Sequence, residues 1–394
     1  MKKHYMVTSE SVTEGHPDKL CDKISDAIVD CYLMQDPYAR VRVQCAVSSA
    51  IVFIAARSHS AATVDLSYIA RKVIRKIGYD QAEFNANTCS ILTSTQAHPG
   101  ENQPAFREAD LTDQEIDRIP AKNQVTVFGF ACKETPSLMP LPIDLAHRLA
   151  RRLDNVRRDG TLAYLEPDGK VQVGIEYRDQ VPHRLHSVAV MASQKQAGGV
   201  KDTRLQEDIR QAVVESTFQE EPIRPDNDTR IFVNPEGPYF GGPTYHSGLA
   251  GRKNAIDTYG EYCRNSGKAL SGKDPVRIDR VGAYAVRHAA KNLVAAGLAS
   301  KCEIMASYSI GLTRPVSLEV ETFGTGKRPD EELADLVRNQ FEFRLAGIIR
   351  NFKLRHLPKL NKGKFYQHLA AYGHFGRTDM DLPWEKTDRG GELT

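Results

Sequence analysis

Several short stretches place charged side chains where chemistry on a polyphosphate could be done. His16-Pro17-Asp18 sets an imidazole and a carboxylate at the mouth of a predicted helix. A helix N-terminus offers unpaired N–H groups and a positive dipole end to an anion or its metal. Asp279 opens the last long predicted helix in the same fashion. The run from Gly267 to Lys273 spells G-x-x-x-x-G-K, the pattern of a phosphate-cradling loop. Asp274 follows where a magnesium-binding hydroxyl should stand, and no apolar strand leads in, so the P-loop itself fails. What survives is a weaker statement: glycine N–H groups beside the Lys273 ammonium suit a polyphosphate. Arg252-Lys253, after a Gly-rich stretch, and Lys170, beside Pro167-Asp168-Gly169, add further cations. Taken singly, each lysine reads as a solvated surface residue and each aspartate as a helix cap. Together they indicate an anionic, magnesium-bound ligand without identifying it.

The elements that must hold these residues mix helices with antiparallel-type strands. Residues 18 to 35 space Leu20, Ile24, Ile28 and Tyr32 on one stripe and Asp18, Asp22, Asp26 and Asp30 on another, an amphipathic helix with Pro17 just before it. The alternating runs around Ser48-Ser49 predict paired strands, and a second helix is expected over 63 to 77. Ser94 to Gln124 turns polar and irregular, a long loop or junction. A helix over 143 to 157 precedes alternating runs on either side of Pro167-Asp168-Gly169, which predicts a hairpin turn there. A strand at 186 to 193 and a helix at 204 to 217 complete a second unit. EEPIRPDND reads as a linker into a third, with a helix from Asp279, two strands, and a helix over 330 to 349. The expectation is three α+β units, at 1–105, 118–225 and 230–394.

Composition excludes several classes. The chain has 394 residues, long enough for two or three domains. Lys+Arg 53 against Asp+Glu 50 leaves +3, too even a balance for a nucleic-acid carrier. The longest apolar stretch, Ala46 to Ala56, is broken by two serines, so no membrane span is expected. The N-terminus lacks the apolar core of a signal peptide, and a cytoplasmic protein is expected. Seven cysteines without a CxxC pair argue against a zinc ribbon or disulfide scaffold.

The runs SESVTEGHPDKLCDKISDAIVD, SGKDPVRIDR, AAKNLVAAGLASKCEI, VETFGT, AAYGHFGR and LPWEKTD closely resemble the S-adenosylmethionine synthetases, in order over nearly the whole chain. The resemblance implies three α+β domains with pseudo-threefold symmetry, homodimers or homotetramers with shared active sites, and Mg²⁺ and K⁺ as ions. It implies attack on C5′ of ATP by methionine sulfur, release of triphosphate, and hydrolysis of that triphosphate. By resemblance Asp18 and Asp279 would ligate magnesium. His16, Asp168, Lys170, Tyr239, Arg252, Lys253, Ala269 and Lys273 would bind ATP, with Tyr239 against adenine and His16, Lys170 and Lys273 catalytic.

The other substrate's end departs from the family pattern. Arg57 stands where the family has a glutamate that meets the methionine ammonium, Asn123 replaces the acid of a GDQG motif, and His246 replaces the aspartate before the Arg-Lys pair. Gln103 and Arg277, matching positions that read the methionine carboxylate, remain. Gln44 takes the place of a potassium-binding glutamate, which puts potassium in doubt. A guanidinium repels an ammonium. The expected nucleophile is therefore a small molecule other than ordinary methionine, with methionine itself or water as alternatives.

Overall fold

The structure, a computed structural model, describes residues 4–97 and 106–393. Among them are strands β1 (His4–Val12), β2 (Arg40–Ser48), β3 (Ile51–His59), β4 (Ser90–Ala97), β5 (Val125–Cys132), β6 (Leu165–Arg178), β7 (Val181–Gln194), β8 (Arg230–Val233), β9 (Gly248–Leu249), β10 (Lys301–Tyr308) and β11 (Ser317–Glu321). They form three sheets, ordered β1-β6-β7-β8, β11-β10-β5 and β4-β3-β2-β9. Most pairings are antiparallel, and β3–β4 and β7–β8 are parallel.

Each sheet packs one face against one long helix. Helix α1 (Pro17–Gln35) lies on β2 and β9, the Leu141–Arg158 helix on β1 and β6, and the Ile278–Ala295 helix on β5 and β10. This is the expected α+β architecture in three similar units. The stretches 1–105, 118–225 and 230–394 each lend strands to more than one sheet. The cause is apolar patterning: β1, β5 and β9 each bury residues against strands distant in sequence. Leu20, Ile24 and Ile28 of α1 are fully buried, each stabilising the fold by about 1.5–3 kcal/mol.

Three expectations need correction. Pro167-Asp168-Gly169 is not a hairpin turn: β6 runs through it with a register shift between Leu165 and Gly169. The reversal comes at Asp179-Gln180, whose φ values of 47° and 67° make the tight turn. The 330–349 helix is two helices, Asp330–Gln340 and Leu345–Phe352, because Phe341 is extended and Arg344 clasps Glu342. The aspartate stripe of α1 does not face water. Asp18, Asp22, Asp26 and Asp30 are all buried.

No described helix is long and apolar enough to cross a membrane. All seven cysteines are unpaired, five buried and Cys31 and Cys263 partly so.

Candidate functional site

Strand β1 delivers the chain to α1, and its register with β6 pairs Val12 with Lys170. That places Lys170 beside the turn ending at His16. His16 is the N-cap of α1, and its Nδ1 accepts the Asp18 N–H at 3.1 Å. A neutral imidazole has one proton, so this bond assigns it to Nε2. Burial holds the His16 pKa down to about 4, against the opposing pull of Asp168 and Asp18. The ring is therefore neutral at neutral pH and offers an N–H donor.

Around it stand the other residues of the helix mouth. Asp168 is buried and accepts from Gly242 N at 2.8 Å and Tyr239 Oη at 3.2 Å, and it meets His246 Nε2 at 2.6 Å. Burial pushes the Asp168 carboxyl up, but the His246 bond and the two imidazoles bring it below its usual value. Its Oδ1 has no hydrogen-bond partner among the described residues. Lys170 Nζ lies 6.0 Å from the Tyr239 ring centroid. The His16 and His246 rings lie 5.1 Å apart, tilted by 57°. Asp18 Oδ1 accepts from Leu249 N at 2.9 Å, with Arg252 at 3.7 Å and Lys253 Nζ 3.7 Å from Oδ2. Gly248 makes this approach possible, since a Cβ there would stand 2.2 Å from the Pro17 carbonyl. Ala269 packs on Gly251, next to Arg252.

The second pole lies along α1. Asp26 accepts Gly272 N at 2.8 Å and clasps Arg280 through both oxygens. This fixes the loop carrying Lys273, eight residues or roughly 12 Å of helix beyond Asp18. Lys273 Nζ is 3.3 Å from Asp279 Oδ1, and burial lowers its pKa against the attraction of Asp279. Asn123 Nδ2 donates to both Asp279 oxygens at 2.8 Å, so the neutral amide holds the carboxylate without repelling it. Arg277 caps the same helix, 3.5 Å from Asp274.

A third group lies on the outward face of the β4-β3-β2 sheet. Arg57 is opposite Arg42 in β2 and Gln96 in β4, and Gln44 is opposite Ala55. Arg42 also bridges to Lys273 through the backbone. Arg42, Gln44, Arg57, Ser94 and Gln96 line a cavity of about 360 Å³ with no carboxylate on its walls among the described residues. Gln103 lies outside the described residues.

The sequence reading missed Asp22 and Asp26, which position the two cationic loops, and Arg42. The four-residue spacing of the aspartates was the available signal, but a polar stripe ordinarily faces solvent.

The geometry gathers cations, imidazoles and carboxylates at a helix mouth, on a scaffold of three helix-backed sheets. Comparison with known proteins narrows it. Residues 4–99 match the N-terminal domain of S-adenosylmethionine synthetase, 118–239 its central domain and 240–386 its C-terminal domain. Proteins named S-adenosylmethionine synthase resemble the chain throughout. That of Gloeothece citriformis is 50% identical over 99% of this chain and 96% of its own length. That of Microcystis aeruginosa is 48% identical over 100% and 98%, and that of Synechococcus elongatus 48% over 100% and 98%. The chain belongs to the S-adenosylmethionine synthetase family and is a transferase acting on ATP.

Proposed function

We propose that this protein transfers the adenosyl group of ATP to a small-molecule nucleophile, breaking the C5′–O bond and releasing triphosphate for hydrolysis to phosphate and diphosphate. The leaving group gains charge as the bond breaks, and preorganised donors and cations stabilise that charge without reorganising. His16 would donate its Nε2 proton in a hydrogen bond to the bridging oxygen. Lys170, Arg252, Lys253 and Lys273 would hold phosphate oxygens, with Ala269 beside them. Tyr239, its hydroxyl tied to Asp168, would face the adenine. Asp18 and Asp279 are hard oxygen donors of the type magnesium takes, with the nearest cations 3.3–3.7 Å away. Each would hold magnesium at its own pole, and the metal would supply charge neutralisation to the departing triphosphate when bound.

The nucleophile is the finer part of the proposal. Its observation is the Arg57–Arg42 pair in a cavity with no carboxylate among the described residues. Such a pocket favours an anionic or amino-lacking group over an ammonium. Asn123 and His246 supply no acid in compensation, and Arg277 and Gln103 are left to read a carboxylate. Water, giving adenosine and triphosphate, is a further possibility. The printed names of the relatives favour a second reading, ordinary methionine bound in a changed way. Two guanidiniums near Gln44 also argue against strong potassium dependence.

The deciding experiment supplies ATP and Mg²⁺ with methionine, its deaminated analogues, or no added nucleophile, and weighs every adenosine-containing product by mass spectrometry. Poor methionine use with triphosphate release is expected. Arg57→Glu with His246→Asp should raise kcat/KM for methionine at least tenfold and lower it for the deaminated nucleophile. S-adenosylmethionine formed by the native protein as fast as by its relatives would replace this reading with the second.

A further inference from the structure

Away from the helix mouth, α1, α2 (Leu66–Ile77) and the turn after Lys362 enclose a cavity of about 550 Å³, a size typical of small-molecule sites. Its floor is apolar, formed by Ala27 and Cys31 of α1 and Ile69 and Val73 of α2. Its walls are cationic. Lys72, Arg75 and Lys76 line one side, Lys362 and Lys364 the other, and Lys23 the inner end.

Little on the protein balances this charge. Among the described residues Asp65 is the single carboxylate on the lining, and it accepts the Tyr68 N–H as N-cap of α2. Glu14 touches Lys23 but also holds Arg158. The cations consequently press on one another. Burial, then Lys76 and Arg158, pull the Lys23 pKa down to about 7, with Asp154 opposing. Burial, then Lys364, Arg158 and Lys72, lower Lys76. Burial, then Lys76 and Lys23, hold His368 near 4. A multivalent anion seated between the two walls would relieve this repulsion, while a body attached to it would cover the floor.

We propose that this cavity is a second ligand site, for an organic phosphate whose apolar or aromatic body rests on Ala27, Cys31 and Val73 while its phosphate lies between Lys76 and Lys364. A lipid-like alkyl phosphate and a nucleotide monophosphate share this chemistry. Isothermal titration of the full-length protein separates the sources, using dodecyl phosphate below its micelle concentration, AMP, dodecanol and inorganic phosphate as probes. Lys76→Glu with Lys364→Glu alters two exposed side chains outside the ATP machinery, so turnover should be unchanged.

Micromolar binding of dodecyl phosphate, weakened at least tenfold in the double variant, supports the site with a lipid-like ligand. The same loss for AMP supports it with a nucleotide, and distinguishes it from AMP in the adenosyl site, where the variant would have no effect. Inorganic phosphate or dodecanol binding as tightly as both organic phosphates would overturn the proposal. So would the absence of binding by every probe, or affinities unchanged in the double variant.

Discussion

Lys273 and Asp279, 3.3 Å apart and both buried, make the sharpest test of the ATP end. Lys273→Ala removes a preorganised charge and leaves Asp279 to the Asn123 amide alone, so turnover should fall about a hundredfold or more. Asp279→Asn should do the same by removing an oxygen of the proposed magnesium site. Both are followed as triphosphate release, with circular dichroism confirming the fold, and normal rates in both would remove these residues from the mechanism. The placement of these residues was largely legible in the sequence, because His16-Pro17-Asp18 announces its own helix mouth and SGKD its own loop. The juxtaposition of Arg57 with Arg42 was not. It depends on the register of β2 and β3, which fixes Arg42 against Arg57 and which no local spacing states.

Helix α1 acts as a rail of acceptors. Asp18, Asp22, Asp26 and Asp30 take backbone N–H groups from Leu249, Gly251, Gly272 and Tyr366 in turn, so one helix sets the height of each loop crossing it. The i, i+4 pattern was visible, but its meaning was reversed, because solvent exposure of a polar stripe depends on what packs over it. Asp30 makes the strain of this arrangement measurable. Burial raises its pKa to about 7, although the Gln367 and Tyr366 N–H bonds oppose the shift. The folded state therefore binds this proton more tightly than the unfolded chain does. The contribution to stability is present below the unfolded pKa near 4 and is lost as pH rises to about 7. Asp30→Asn should remove that slope, and the lost acceptor should cost about 1–3 kcal/mol. Urea titrations at pH 4.5 and 8 check both. An identical pH slope in variant and wild type would show that Asp30 is not the group responsible.

At the scale of the molecule, the outward face of the β4-β3-β2-β9 sheet exposes Ile51, Phe53, Leu92 and Leu249 by 44–53%, an apolar patch of the type that marks an interface. Arg57 lies on the same face, so a second copy seated there would close over the cavity that Arg57 lines. Such a contact would suit the dimer with shared active sites that the resemblance implies. Phe53→Asp should give a folded monomer by sedimentation with activity lost at least tenfold, recoverable in part at high protein concentration. A fully active monomer would contradict the arrangement. The three-unit architecture was readable from stretches that each mix helices with antiparallel-type strands. The exchange of strands between units was not, because a strand's sequence shows that it will be covered without showing by what. That exchange also governs how the chain must be made. β1 finds its partner only at residues 170–178, β5 only at 301–308, and β2 meets β9 only at 248–249, so all three sheets stay incomplete until long after their first strands leave the ribosome. Distant pairings fold slowly and leave apolar edges exposed meanwhile. Truncated nascent chains should consequently engage chaperones until β10 has emerged, and then be released together rather than unit by unit.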